Sequence, residues 1–247
     1  MTNYIGYDDD ENSLINCLFK RDDINECYRI LFKLAKHKKE EAVWNFIINL
    51  FLDFYAELNP KLEHFIFKLK TDGPATSMTF ARIIKNMFIR KSTSHNVYKA
   101  RISVLTFKYT VTSLKKIKPS TTIDLLLSDP LNNKYSVLLT ALHSKNIDKI
   151  AYKVFTHLKD GNDVDVVHRV IIGYFSKVYF TQAEAQAEEK EINVKIFEKW
   201  LQIKKNIPSE FYFHYLIAII IHLFANQKDI NESVLFVRPT PDIIVGL

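Results

Sequence analysis

Glycine is the residue that lets a chain turn tightly, and this chain of 247 residues has only five: Gly6, Gly73, Gly161, Gly173 and Gly246, each isolated from the next. Tight hairpin turns between strands draw on glycine for positive φ, so a sequence this poor in it has few ways to build a sheet. With 47% apolar residues to bury, the alternative is a set of amphipathic helices joined by polar connections. The expected fold is all-α, a helical-repeat or collar-like bundle of about ten helices, with an internal duplication suggested below.

The same scarcity removes two chemistries. A phosphate-cradling P-loop and a dinucleotide fingerprint both need clustered glycines, because only glycine lets backbone N–H groups approach phosphate closely. The eight histidines (His37, His64, His95, His143, His157, His168, His214 and His222) show neither the i, i+4 pair around a glutamate nor a cysteine partner that zinc would require. No serine or cysteine sits in a known nucleophile signature. The sequence therefore leads us to expect no catalytic residue, no metal and no cofactor, and a protein that is not an enzyme.

Cys17 and Cys27 are the only cysteines. They are too few for a disulfide scaffold and read as small, reduced core residues. The N-terminus runs through Asp8, Asp9, Asp10 and Glu11 and lacks the basic-then-apolar order of a signal peptide, so an intracellular location, cytoplasmic or nuclear, is expected. The most apolar run, Phe211 to Ala225, is shorter than the roughly 20 residues that a membrane span needs. It reads as a buried helix, and no membrane partner is expected.

Along the chain, residues 1–12 are polar and acidic and read as a loose arm. A first helical unit is expected over 13–118. Helical spacing begins with Leu14, Leu18 and Phe19, pauses at Arg21-Asp22-Asp23, and resumes with Ile24, Cys27, Tyr28, Leu31 and Leu34. Asp22 or Asp23 is a natural N-cap there. A helix from Glu40 to Leu58 should end near Asn59-Pro60, a short one should reach Lys70, and Thr71-Asp72-Gly73-Pro74 is a clear break. Helices of Ala75 to Arg90 and Ser94 to Lys118 follow, with Ser94 as a candidate cap. A second unit over 119–232 should hold one short helix before the turn cluster at 128–133, then helices of Tyr135 to His143, Ile147 to Leu158 and Val164 to Phe180, a charged stretch from Glu184 to Glu191, and the apolar helix. Residues 233–247 read as an extended apolar tail.

Laying residues 17–55 on 141–179, an offset of 124, matches eight positions without a gap: Leu18 with Leu142, Tyr28 with Tyr152, Leu34 with Leu158, Val43 with Val167, Ile47 with Ile171, Ile48 with Ile172, Phe51 with Phe175 and Tyr55 with Tyr179. Most are apolar positions at helical spacing. A duplicated three-helix unit is the favoured reading, and two similar amphipathic hairpins matching by accident is the competing one.

Charge is uneven. The chain carries 34 basic and 28 acidic residues, yet none of the acids falls between Gly73 and Ile123, where Arg82, Lys85, Arg90, Lys91, Lys99, Arg101, Lys108, Lys115, Lys116 and Lys118 stand. With Phe88, His95, Tyr98, Phe107 and Tyr109 interleaved, this basic segment, 73–123, is the candidate nucleic-acid-binding site, its cations neutralising phosphates and its aromatics available for stacking. On the competing reading, the cations pair with the acidic remainder and the aromatics are core. Asp53 and Glu57, four apart, would share one helix face and read as a solvated or N-terminal-facing pair.

Three stretches carry a family resemblance: "LINCLFKRDDINECY" at 14–28, "FLDFYAELNP" at 51–60 and "KSTSHNVYKA" at 91–100. Residues 13–105 resemble the helical C-terminal region of the MgsA/RarA family, clamp-loader-related AAA+ ATPases that maintain replication forks. Lys91, Ser92, Asn96, Val97, Tyr98, Lys99 and Ala100 fall in the order of that family's Lys-Ser-Asn-x-Val-Tyr-like signature, with extra residues between Ser92 and Asn96. The family's Glu-Asp-x-Gly stands here as Asp53-Phe54-Tyr55-Ala56, and the ATPase module is missing, so ATP hydrolysis does not carry over. The resemblance implies a clamp-loader-like oligomerisation module linked to DNA replication or repair.

Abundant Ile, Lys, Asn, Phe and Tyr point to an AT-rich coding genome, such as some large DNA viruses, protists or bacteria have. The expected function is thus a non-enzymatic helical assembly or binding protein associated with DNA replication or repair. Its expected partners are nucleic acid, replication or virion proteins, or a second copy of itself, in a viral factory if the source is viral. The alternative is a structural or virion interaction protein whose basic face binds an acidic partner.

Overall fold

The computed structural model describes residues 2–59, 61–90, 93–106, 134–179 and 209–225. Among them are ten α-helices, one 3-10 turn and no strand, and 78% of them are helical, so the all-α expectation holds. The chain divides into two compact units between Asn96 and Val97. The turn signals put the expected boundary after Lys118, which lies outside the described residues, as do the charged stretch 184–191 and the tail 233–247.

In the first unit, α1 (Asp9–Lys20), α2 (Ile24–His37), α3 (Glu40–Phe54), α4 (Lys61–Thr71) and α5 (Ser77–Ile89) follow one another through short turns. The helix starts are written in the side chains. Asp8 accepts from the Glu11 amide while Glu11 accepts from the Asp8 amide, a reciprocal cap. Asp23 accepts from the Asn25 amide at 2.8 Å, and Thr76 and Thr79 form the equivalent box on α5. Gly73, at φ 136°, makes the expected break before α5, a conformation that side chains on other residues rarely allow.

The acidic N-terminus is not a loose arm. Asp9, Asp10 and Glu11 form the first turn of α1, where the positive end of the helix dipole favours carboxylates. Lys38 bonds both Asp8 and Glu11, and Lys33 pairs with Asp10. Ahead of the helix, the Tyr4 amide donates to buried Asn12 at 2.7 Å and the Thr2 amide to Asn16 at 3.1 Å. These bonds dock the Tyr4 ring against Phe19 and Phe54.

Cys17 and Cys27 are not reduced. They form a disulfide between α1 and α2, with their Cα atoms 5.7 Å apart. A cysteine count excludes a scaffold of bridges but not a single one, and the short connection between the two helices brings the Cα atoms into bonding range. The helix α3 is the centre of this unit. Val43, Trp44, Phe46, Ile47, Ile48, Leu50, Phe51, Leu52 and Phe54 are all buried, so it is apolar nearly all round, as a helix enclosed by its neighbours must be. It ends at Phe54 and gives way to a turn over 55–58, four residues short of the expected end.

The second unit contains α6 (Asn96–Thr106, entering from the boundary), α7 (Ser136–His143), α8 (Ile147–Lys159), α9 (Val164–Tyr179), a 3-10 turn (Ser209–Phe211) and α10 (Tyr212–Ala225). Residues 215–221 of α10 are buried without interruption, which is how its run of isoleucines is accommodated. No described helix is long and apolar enough to cross a membrane.

At the offset of 124, α3 begins at Glu40 and α9 at Val164, while α2 at Ile24 and α8 at Ile147 begin 123 positions apart. The only described non-glycine residues with positive φ, Arg21 at 56° and Lys145 at 53°, stand at the same offset. Leu18 and Leu142, Val43 and Val167, Ile47 and Ile171, and Phe51 and Phe175 are all buried. So are Trp44 and His168, which share an offset position without sharing identity.

Candidate nucleic-acid interface

Of the ten cations in the basic segment, Arg82, Lys85, Arg90, Lys99 and Arg101 are described; Lys91, Lys108, Lys115, Lys116 and Lys118 lie outside the described residues. Helix α5 sorts its own residues by helical spacing. Phe80, Ala81, Ile83, Ile84 and Met87 are buried, and the opposite face carries Met78, Arg82, Lys85 and Ile89. Arg82 is exposed, with its guanidinium carbon 5.8 Å from the centre of the Phe65 ring. Lys85 is half-buried, and Met78 and Ile89 are each 48% exposed at the two ends of this face. A basic pair flanked by apolar side chains can contact a phosphate and the less polar surface beside it.

The other three cations are placed differently. Lys99 is exposed on α6. Arg101, expected on a solvated face, is only 8% exposed: it falls at helical spacing with buried Val97 and Ala100, and its guanidinium carbon lies 5.5 Å from the Tyr98 ring centre. Arg90 closes α5, half-buried, and donates from Nη1 to the Asn86 carbonyl at 2.7 Å and to the Asn86 side chain at 3.1 Å. The aromatics divide too. His95 is packed among Tyr4, Phe19 and Phe54 and is half-buried, as are Phe88 and Tyr98, and Phe107 and Tyr109 lie outside the described residues.

Asp53 and Glu57 correct a second expectation, since both are buried rather than solvated. Asp53 accepts from the Tyr7 hydroxyl at 2.8 Å, and Glu57 accepts from the Asn96 side-chain amide at 3.1 Å. The Ser94 hydroxyl accepts from the Asn96 amide at 3.2 Å, which starts α6, while Val97 and Ala100 are buried.

One grouping was not read from the sequence. Arg21, at the end of α1, donates from Nη2 to the Arg90 carbonyl. Tyr55, at the end of α3, is fully buried. Burial pushes its hydroxyl far above the ordinary tyrosine value, and the nearby Arg21 and Arg90 pull the other way. Burial likewise lowers Arg90, with Tyr55 opposing. The positive φ of Arg21 is the trace that the hairpin leaves locally, but no sequence pattern connects it to residues so far along the chain.

Among the described residues no cluster of three or more His, Cys, Asp or Glu could hold a metal. A cleft of about 390 Å³ lies between α1 and α2, lined by Asp10, Asp23, Glu26, Lys20 and Lys33 with the Cys17 end of the disulfide. Lys33 pairs with Asp10 across it, and Arg29 with Glu26 along α2. Comparison of the chain with protein-family models, with curated proteins and with solved structures finds no match.

Proposed function

We infer that this chain is a non-enzymatic helical binding protein that takes nucleic-acid phosphates on the solvent face of α5 and associates with DNA replication or repair. One observation carries the reading: Arg82 and Lys85 share that face, in a stretch of sequence, 73–123, that contains no acidic residue. The replication link rests on the resemblance of residues 13–105 to the clamp-loader-related region, which also supports self-association. Sequence readout is not expected, because phosphate contacts position a protein on nucleic acid without specifying bases.

The test is binding to single- and double-stranded oligonucleotides across a salt series. If Arg82 and Lys85 each neutralise one phosphate on duplex DNA, replacing both with Ala reduces the slope of log K against log salt by about 1.8, since each contact contributes about 0.9. Absence of measurable binding at about 50 mM salt, where such contacts are strong, overturns the reading. A second reading then takes its place, an interaction module for an acidic protein partner, favoured by Met78 and Ile89 beside the cations. Such a partner would cover the apolar side chains as well as the charge.

A further inference from the structure

Arg21, Tyr55 and Arg90 are the closing residues of α1, α3 and α5, and the fold of the first unit brings them within interaction range of one another. Cations at helix C-termini ordinarily answer the partial negative charge of the last carbonyls. That accounts for two bonds here, Arg21 Nη2 to the Arg90 carbonyl and Arg90 Nη1 to the Asn86 carbonyl. It leaves two donors unanswered. The Arg21 Nε–H and the Tyr55 hydroxyl are both buried and have no hydrogen-bond partner, on a tyrosine that is 0% exposed.

Leaving such groups unmade is costly, because a buried donor has given up water without gaining an acceptor. The charge is unanswered as well. Among the described residues no carboxylate pairs with Arg21 or Arg90, so two like charges stand together in a partly desolvated place. A water molecule would satisfy the hydrogen bonds but not the charge. A species with several acceptor oxygens and negative charge satisfies both, and guanidinium groups match oxyanion geometry with paired N–H donors. Both arginines are half-buried, so their remaining surface is open to a ligand arriving from solvent.

We propose that Arg21, Arg90 and Tyr55 form an oxyanion receptor that takes a phosphate group, free or as part of a phosphodiester. The two guanidinium groups supply charge and donors from the open side, and the Tyr55 hydroxyl donates from the buried side. This site does not rest on the nucleic-acid reading of α5: it lies at the ends of three helices, and Arg82 and Lys85 take no part in it.

The experiment is calorimetric titration of the full chain with inorganic phosphate, and separately with a short thymidine oligonucleotide, at constant ionic strength set by chloride. Saturable phosphate binding is expected, weakened about tenfold or more by Tyr55→Phe, Arg21→Gln or Arg90→Gln, as loss of a charge-assisted bond requires. Tyr55→Phe removes a hydroxyl that lacks a partner in the free protein, so it should not lower thermal stability in phosphate-free buffer, which separates binding from folding. The Arg82→Ala, Lys85→Ala double variant should keep its phosphate affinity. If the Tyr55 and Arg21 variants weaken the oligonucleotide as well, the phosphate is that of a phosphodiester; if they weaken inorganic phosphate alone, it is a free anion. If wild type binds phosphate but no oligonucleotide, the reading of α5 falls and this one stands. If neither ligand's affinity responds to Tyr55→Phe and Arg21→Gln, the arginines serve only the helix ends and the proposal is overturned.

Discussion

His168 makes the second unit sensitive to acid, by an amount that its surroundings set. It lies on α9 with 0% of its surface exposed. Burial pushes the imidazole down from 6.5 to about 3, with Asp165 opposing and Arg169 adding to the effect. Between those two values the unfolded chain holds a proton on this ring that the folded chain does not. Stability is therefore undiminished above the unfolded value and falls as the pH drops below it, by about 1.4 kcal/mol per pH unit. Two units of acidification below the unfolded value should then cost about 3 kcal/mol from this residue alone. The assay is urea unfolding followed by far-ultraviolet circular dichroism, at a series of pH values from neutral to about 4.5, on wild type and on His168→Leu. Burial also lowers His157, but that residue is present in both proteins and cancels in the difference. The wild-type deficit relative to the variant should be constant near neutral pH and should grow on acidification with the stated slope. A difference that stays flat across the series would show that His168 is protonated as readily folded as unfolded, and the burial argument would fail.

Three further outcomes follow from the first unit. Trp44 is 2% exposed and meets Phe80 edge-on, with ring centres 5.0 Å apart, so Trp44→Ala should cost about 3 to 5 kcal/mol in the same urea assay; a loss below about 1 kcal/mol would place the ring outside the core. Reducing the Cys17–Cys27 bridge, which spans a sequence separation of 10, should lower stability by about 2 to 3 kcal/mol, and a Cys17→Ala, Cys27→Ala variant should not respond to reductant. Asp8→Ala removes the cap on α1 and one partner of Lys38, for an expected loss of about 1 kcal/mol. A double-mutant cycle with Lys38→Met should show coupling, and strict additivity would mean the ion pair contributes nothing.

Much of the fold was legible along the chain because its signals are local. Spacing of Cys27, Leu31 and Leu34 marks the buried face of α2, and Asp23 caps it as expected. Gly73 breaks the chain where it should, and α8 and α9 begin at the residues expected of them. The acid-free basic stretch was equally visible, since counting charges needs no partner. Helix ends were read less well. The start of α1 was missed because four consecutive carboxylates, Asp8 to Glu11, resemble a solvated arm unless the helix dipole and Lys38 are known to receive them.

What sequence periodicity cannot supply is the other side of each contact. It placed Asp53 and Glu57 on one helix face, but α3 ends before Glu57, and each carboxylate is buried against its own partner, Tyr7 or Asn96, 46 and 39 positions away. Arg101 looked like every other cation in its segment until α6 turned it inward with Val97 and Ala100. The grouping of Arg21 with Arg90 joins residues 69 positions apart, and the bridge from Cys17 to Cys27 needed the hairpin closed before the two could meet. Helix formation is a matter of neighbours in sequence, so composition and spacing were enough to establish an all-α chain and most of its helices. Burial, charge pairing and the meeting of three helix ends depend on neighbours in space, and those exist only once the helices have packed.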